Sequence, residues 1–204
     1  MYSRLQVAPK SGVEPFHSAG QPLGFDVLSF WRWSASDLAS NAQRGRVAEF
    51  LVARAIGLPP DDLRAEWDAY DLRMPGTGAT IEVKSSAYLQ TWAQTSPTTV
   101  CFGVQPTRAW SADTNAMEPA SARRRQADLY VFAVLHHLEK DTLDPLDVSQ
   151  WTFYVLPTAV LDAAVPEQKQ ITLPALRRLR PAQCTFDALG ASIAQAAQSI
   201  HSPR

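Results

Sequence analysis

Residues 128–135, DLYVFAVL, constrain the fold of this chain more than any other segment. Every residue after Asp128 is apolar or aromatic, so a strand built from this segment would be apolar on both faces. Strands of that kind lie in the interior of a sheet that is covered on both sides. A second apolar strand, WTFYVLP over residues 151–157, follows after a loop. These segments predict two strands of a sheet, the first of them interior.

The rest of the chain alternates between helical and strand patterns. A helix is predicted from about residue 43 to 56, because Gly57 and two nearby prolines stop it. An earlier helical stretch has Ser36 as its predicted N-cap, with Asp37 in the first turn. The other predicted elements are a strand, turn and strand within residues 65–92, a strand over 98–104, helical or irregular segments at 158–164 and 171–173, and a C-terminal helix over about 186–200. This order predicts an α/β fold, a mixed sheet flanked by helices.

The first 24 residues are rich in Pro, Gly and Ser, which is typical of an extended arm. We expect residues 25–204 to form a single domain. Inside that domain, residues 105–127 form a long polar connection that contains Arg123, Arg124 and Arg125. A connection of that length in a compact domain is usually functional or disordered.

The bulk composition is that of an ordinary globular protein, with 46% apolar and 19% charged residues among 204. The net charge of −1 excludes an overall positive field of the kind that indicates a nucleic-acid partner. It does not exclude local basic patches. The longest apolar run, YVFAVL, is too short to cross a bilayer, and the first residues lack the apolar core of a signal peptide. Cys101 and Cys184 are far apart and fit reduced, buried thiols. We therefore expect a cytoplasmic protein with no membrane partner.

The segment IEVKSS, residues 81–86, carries the most informative polar pair. Side chains alternate along a strand, so Glu82 and Lys84 point to one face and Ile81 and Val83 to the other. Asp71 ends the preceding predicted strand, and the intervening turn can bring it beside Glu82. Two neighbouring carboxylates repel each other unless a cation lies between them, and hard oxygen ligands suit Mg²⁺ or Mn²⁺. A lysine beside such a cation could position water or balance charge on phosphorus.

Glu49 is a third candidate acid. On a helical wheel it lies beside Gly45, Val52 and Ile56, on a largely apolar face of the predicted helix. A buried carboxylate is costly unless it is paired or coordinates a metal. Glu49 is therefore expected to face the sheet.

A structural ion pair between Glu82 and Lys84 is an equally good interpretation of the residues alone. The pattern Glu-x-Lys is weak, and the chain has a second copy, residues 167–169, with no apolar strand before it. The context of the first copy favours catalysis: an apolar strand, an Asp across a turn, and a Glu on an apolar helix face. The chain also has only four lysines against fifteen arginines, so Lys84 on a core strand is unusual.

These residues resemble the PD-(D/E)XK nuclease superfamily, which has the restriction-endonuclease-like fold. The resemblance is carried by Arg44-Gly45-x-x-x-Glu49, by Tyr70-Asp71-Leu72, by residues 81–86 and by the later strand that Asp128 opens, and it covers roughly residues 41–135. It implies a mixed β-sheet of four or more strands flanked by helices. It also implies Mg²⁺-dependent hydrolysis of phosphodiester bonds by a DNA endonuclease.

The resemblance also assigns roles to residues of this chain. Asp71 and Glu82 would bind the metal, with the Val83 carbonyl as a further ligand. Lys84 would orient or activate water, and Glu49 would support the metal or its water. Tyr70 stands where the family pattern has Pro, which leaves Asp68 as a rival for Asp71.

Nucleic acid, DNA in particular, is the expected partner. Arg123, Arg124 and Arg125 are candidate phosphate contacts, and a solvated loop is an equal alternative. Gln90, six residues past Lys84, is a further candidate for the site. A homodimer would suit duplex DNA, because cutting both strands needs two sites. The competing function is a catalytically inactive nucleic-acid-binding or scaffold protein with the same fold.

Overall fold

The computed structural model describes residues 5–64, 68–111, 115–120 and 123–201. Strands and helices alternate along most of the chain. In order they are β1 (Pro15–Ser18), β2 (Gln21–Asp26), α1 (Val27–Ala35), α2 (Asn41–Ala55), β3 (Leu72–Arg73), β4 (Thr80–Ala87), β5 (Cys101–Gly103), β6 (Trp110–Ser111), β7 (Ala116–Met117), β8 (Leu129–Leu135), β9 (Trp151–Pro157), α3 (Thr158–Ala164), β10 (Gln170–Thr172), α4 (Leu173–Arg178), β11 (Ala182–Cys184) and α5 (Phe186–His201). Short 3₁₀ turns lie at Lys140–Thr142 and Val148–Gln150.

Five of these strands form the central sheet, in the order β11-β9-β8-β4-β3. The pairing of β4 with β8 is parallel and the other three pairings are antiparallel, so the sheet is mixed. All seven residues of β8 are buried, which confirms the prediction of an interior strand. Helices cover the sheet, and the predicted fold class is confirmed.

The two faces of the sheet bury separate hydrophobic cores. On one face, Ile81 and Val83 of β4 pack with residues of α2 and α5, such as Val52 and Ile193. On the other face, Tyr130 and Phe132 of β8 pack with residues of α3, α4, β5 and β10. The alternation of side chains along β4 and β8 produces this division. Glu82 and Lys84 therefore belong to the face opposite α2.

Asp128 fixes the register of the parallel pair. Its carboxylate accepts hydrogen bonds from the Thr80 amide at 2.9 Å and from the Thr80 hydroxyl at 2.8 Å. Thr80 begins β4, and Asp128 immediately precedes β8. Glu82 is thereby set opposite Tyr130, and Lys84 opposite Phe132.

The helix predicted over 43–56 is confirmed as α2, and Gly57 follows it with a φ of 77°, a left-handed conformation that glycine adopts without strain. The prediction for Ser36 is wrong, because Ser36 ends α1 instead of opening a helix. The N-cap of α1 is Asp26, whose carboxylate accepts from the Ser29 amide at 2.8 Å. An Asp ten residues earlier thus does the capping expected of Ser36.

The N-terminal part holds regular structure that its composition did not indicate. Strands β1 and β2 pair in an antiparallel hairpin, and their side chains are almost all exposed. The predicted division into an arm over 1–24 and a domain over 25–204 stays a prediction.

Two short segments also differ from expectation. Strand β5 covers only the middle of the predicted strand over 98–104, and it pairs with β10 outside the central sheet. Residues 171–173, expected to be helical or irregular, contribute to β10 and to the start of α4. None of the helices in the described ranges is both long and apolar enough to cross a membrane.

Helices α2 and α5 cross closely at Gly190. A Cβ at this position would lie 2.2 Å from the Ala55 carbonyl oxygen, a distance that no packed structure accepts. Gly45, in the middle of α2, differs: a Cβ there would meet its nearest neighbour, the Ser85 hydroxyl, at 3.9 Å. Of these two glycines, only Gly190 is required by the packing of α5 against α2.

We predict that Gly190→Ala lowers the free energy of unfolding by about 1–3 kcal/mol, because α5 must move away from α2. The matched control is Gly45→Ala, which we expect to raise it by up to about 1 kcal/mol, since alanine is the better helix former. Urea unfolding followed by circular dichroism measures both. Equal stability of Gly190→Ala and wild type would contradict the close crossing.

Candidate active site

Asp71 lies at the point where the edge strand of the sheet begins. Its amide donates to the Ile81 carbonyl at 3.1 Å, and its carboxylate Oδ2 accepts from the Val83 amide at 2.7 Å. Strand β3 pairs only with Thr80 and Ile81 of β4. The next amide on this edge of β4, that of Val83, therefore donates to the Asp71 side chain and not to a neighbouring strand. The N–H and C=O of one strand residue project to the same side, so the Val83 carbonyl also faces this edge.

Glu82 and Lys84 form an ion pair on the face opposite α2. The Lys84 Nζ donates to Glu82 Oε1, and the two side chains are 34% and 19% exposed, respectively. Both line a cavity of about 150 Å³, together with Gln105, Gln126 and Tyr130. Glu82 and Lys84 share one face of the strand, as predicted. They also form the ion pair that the alternative interpretation predicts.

Burial, followed by the charge of Glu82, raises the pKa of Asp71 to about 6. The charge of Glu49 raises this pKa further, while the Val83 hydrogen bond and Lys84 lower it. Asp71 is therefore within electrostatic reach of both other acids. Burial and Glu82 also raise the pKa of Tyr130, which keeps its hydroxyl protonated beside the site.

Glu49 projects from α2 with a side chain that is only 14% exposed, as its apolar helix face predicts. Arg64 pairs with it through two nitrogens, Nε to Oε2 and Nη2 to Oε1, the latter at 3.3 Å. Glu49 and Asp71 line a cavity of about 560 Å³, which Arg46 and Arg73 also line. Asp71 therefore lines this cavity and also lies within electrostatic reach of Glu82, on the opposite face of the sheet from α2.

The geometry separates the two rivals for the first acid. Asp68 is exposed, whereas Asp71 is hydrogen-bonded to β4 and responds to the charge of Glu82. Asp71 is the acid that the structure brings beside Glu82.

The donor set fits a small hard cation held by two carboxylates. Within the described ranges, no group of three or more His, Cys, Asp or Glu residues is arranged to hold a metal ion. Asp71 and Glu82 would supply carboxylate oxygens to such a cation, and the Val83 carbonyl faces the same edge as Asp71. Mg²⁺ is commonly bound by one or two carboxylates together with water and substrate phosphates. Glu49, already paired with Arg64, is a neighbour of this set and not a member of it.

The arginine run has three different environments. Arg123 is exposed and donates to the Pro106 carbonyl at 3.1 Å, and Arg124 forms an ion pair with Glu118 at 3.0 Å. Arg125 is 5% exposed, and its guanidinium donates to the Val104 and Val165 carbonyls and to Asp162 at 2.6 Å. The predicted phosphate contact does not fit Arg125, because its donors are used inside the protein.

Sequence reasoning missed several residues of this site. Arg64, Tyr130 and Gln126 lie beside the acids through contacts distant in sequence, and no local pattern marks them. The strand register could have indicated Tyr130, since a parallel pairing of β4 with β8 puts Tyr130 opposite Glu82. Gln90 is buried near Arg44 and does not line the cavity of Lys84.

No protein-family model matches the chain, and neither the curated proteins nor the solved structures gave a match.

We predict that Asp71→Asn stabilises the protein at neutral pH but not in acid. An acid with a folded pKa of about 6, above its ordinary 3.8, binds more protons in the folded than in the unfolded state between these values. Wild-type stability therefore falls as the pH rises through this window. The variant should gain up to roughly 3 kcal/mol above pH 7 and nothing below pH 4, since asparagine can still accept from Val83.

Urea unfolding in EDTA at pH 4 and pH 7.5 measures this difference. Asp68→Asn is the control, because an exposed carboxylate should change stability by less than about 0.5 kcal/mol at either pH. A constant difference between Asp71→Asn and wild type across the pH range would show that the pKa of Asp71 is not raised in the folded protein.

Arg125→Met should lower the free energy of unfolding by roughly 2–4 kcal/mol, because two buried carbonyls lose their charged donor. Arg124→Met removes the same charge from an exposed ion pair and should cost no more than about 1 kcal/mol. Thermal unfolding of both variants compares them directly. If the two variants were equally stable, the structural role of Arg125 would be refuted.

Proposed function

We propose that the protein is a cytoplasmic, divalent-metal-dependent nuclease that hydrolyses phosphodiester bonds of DNA. The observation that carries the proposal is the environment of Asp71. This carboxylate is partly buried, and its pKa is raised by burial and by repulsion from the charges of Glu82 and Glu49. A bound divalent cation would relieve that repulsion, and two carboxylates with a backbone carbonyl are suitable ligands for Mg²⁺ or Mn²⁺.

In this proposal the carboxylates hold the cation and Lys84 positions the reacting groups. A bound Mg²⁺ would supply Lewis-acid stabilisation of the negative charge that develops on the phosphate oxygens. Lys84 has three N–H donors and gives one to Glu82, so two remain for the attacking water and a phosphate oxygen. Asp71 must be ionised to bind the cation, so activity should rise as the pH increases through about 6.

Glu49 has a supporting role in the same proposal. Its pairing with Arg64 keeps a negative charge near Asp71 without placing a third carboxylate on the cation. The cavity of about 560 Å³ beside it is lined by four arginines, Arg46, Arg54, Arg64 and Arg73, which gives the DNA backbone cationic neighbours. Arg123 remains a proposed phosphate contact. A homodimer would allow both strands of a duplex to be cut.

A catalytically inactive nucleic-acid-binding protein is the second candidate. The ion pairs of Glu82 with Lys84 and of Glu49 with Arg64 favour it, because both pairs already neutralise acids without a metal. The cleavage experiment below separates the two functions.

We predict Mg²⁺- or Mn²⁺-dependent cleavage of plasmid or single-stranded DNA, reduced about 10²-fold or more by Lys84→Ala. The loss of a donor that stabilises transition-state charge has effects of that size. Lys169→Ala is the matched control, because Lys169 belongs to the other Glu-x-Lys segment, is exposed and is not among the residues that line the cavity of Lys84. It should cut as wild type does.

Cleavage that survives in EDTA or in Lys84→Ala would reject this site as its source. DNA binding without cleavage of any form of DNA or RNA, at any pH from 6 to 9, would favour the second candidate.

A further inference from the structure

A cavity of about 390 Å³ lies between the N-terminus of α2 and the end of β4, beyond Lys84. It is distinct from the cavities that Glu49, Asp71, Glu82 and Lys84 line. Hydroxyl and amide side chains dominate its wall, namely those of Asn41, Ser85, Ser86, Gln90, Thr98 and Thr99. We call it the Arg44 pocket, after the one charged residue that lines it.

Arg44 is a buried cation with no anionic partner among the described residues. It is 4% exposed, and it donates to the Ala39 carbonyl at 3.1 Å, to Gln90 at 3.4 Å and to Asn41 at 2.7 Å. All three acceptors are neutral, and the Nε of Arg44 has no hydrogen-bond partner in the described ranges of the chain. Buried charges are normally paired, because desolvation without an opposite charge is costly. Burial accordingly lowers the pKa of Arg44.

Two serines of β4 also line the pocket, with side chains on opposite faces of the strand. The Ser85 hydroxyl is the one on the α2 face, near Gly45. Neither hydroxyl makes a hydrogen bond within the part of the chain that the structure describes. The pocket also adjoins the N-terminus of the 15-residue α2. That helix has no acid in its first turn, and its N-cap Ser40 makes no side-chain capping bond. The Asp37 carboxylate accepts from the Ser40 amide at 3.1 Å, but among the described residues no side chain caps the amides of the first turn itself.

We propose that the Arg44 pocket binds a phosphate group. A guanidinium, the Ser85 hydroxyl and a helix N-terminus all favour an anion, and a tetrahedral oxyanion can use all of them at once. A cation would be repelled by Arg44, and a neutral ligand would leave the charge of Arg44 uncompensated.

The position of the pocket suggests a nucleic-acid strand as the source of the phosphate, and this step rests on the proposed function. Ser86 lies two residues beyond Lys84, or about 7 Å along the strand. That separation is comparable to the distance between successive phosphates of a nucleic-acid strand. At the rim, Trp92 is 56% exposed and its carbonyl accepts from the Lys140 ammonium. Its ring offers a surface on which a base can stack.

The first test is thermal unfolding in EDTA with increasing inorganic phosphate, at an ionic strength held constant with chloride. A ligand that binds only the folded state raises Tm in a saturable way. We expect this rise in wild type, and we expect Arg44→Met to weaken phosphate binding by tenfold or more. Arg44→Lys, which retains the charge but not the forked donors, should fall between them. Arg178→Met removes an exposed charge of α4 that does not line the Arg44 pocket, and it should bind phosphate as wild type does.

If Arg44→Met fails to fold, Ser85→Ala tests whether the Arg44 pocket binds phosphate. It removes a hydroxyl that holds no hydrogen bond among the described residues, so the variant should unfold at the wild-type temperature without phosphate. It should also bind phosphate more weakly. The absence of a saturable phosphate effect in wild type, or an undiminished effect in both Arg44→Met and Ser85→Ala, would overturn the proposal.

The source of the phosphate is tested by fluorescence anisotropy in EDTA with labelled single-stranded oligodeoxynucleotides that carry or lack a 5′-phosphate. Weaker binding of both oligonucleotides by Arg44→Met would assign the pocket to internal phosphates, and weaker binding of only the 5′-phosphorylated one to a strand end. If the variant binds both as wild type does but has lost inorganic phosphate, the ligand is a small phosphate compound. Because EDTA prevents metal-dependent cleavage, these results are independent of whether the protein is a nuclease.

Discussion

The site depends on the unequal edges of β4. One edge pairs with β8 from Ile81 to Ala87, while the other pairs with β3 at only two residues. Past that point the polar groups of β4 need other partners, and the Asp71 carboxylate supplies one by accepting from the Val83 amide. Had β3 begun earlier, a backbone carbonyl would occupy this place, and Asp71 would not be held beside Glu82. The firm pairing with the fully buried β8 keeps the open edge in position.

Two of the acids around β4 are paired with bases, while Asp71 and the buried Arg44 have no ion-pair partner among the described residues. Glu82 is paired with Lys84, and Glu49 with Arg64. Asp71 has only an amide donor for its carboxylate, and Arg44 has only neutral acceptors for its guanidinium. A cation would relieve the first imbalance and an anion the second. Lys84 pairs with Glu82, and the next residue of β4, Ser85, lines the Arg44 pocket. A phosphodiester strand with a divalent cation offers both charges together. The net charge of −1 conceals this arrangement, because the 19 basic and 20 acidic residues nearly cancel over the whole chain.

The sequence predicted those parts of the structure whose cause is local. Strand β8 and helix α2 are apolar with a clear period, and Glu49 and Glu82 lie on the faces that this period assigns to them. The prediction for Ser36 failed because a serine near a helical pattern can end one helix as readily as begin another. Strand β10 was not predicted, because three residues are too few to show the alternation of apolar and polar side chains that is typical of a strand. In the site, the Val83 bond to Asp71 and the Arg64 pair with Glu49 join residues whose proximity only the folded chain creates. The same reason separates Arg125 from Arg123: although they are only two residues apart in sequence, Arg125 is buried against α3 and Arg123 is exposed.

The raised pKa of Asp71 also bears on the order in which the cation and the phosphate bind in the proposed function. Near neutral pH, above a pKa of about 6, Asp71 is ionised beside Glu82, so a phosphate approaching this edge meets like charge. A cation must therefore be present before or together with the phosphate at Asp71. The Arg44 pocket has the opposite charge and needs no metal to attract a phosphate. A strand could thus be held at the Arg44 pocket first, and the cation would then draw its neighbouring phosphate toward Asp71 and Lys84. Under this arrangement, metal and nucleic acid favour each other's binding at the acids, while the contact to Arg44 is the same with or without metal.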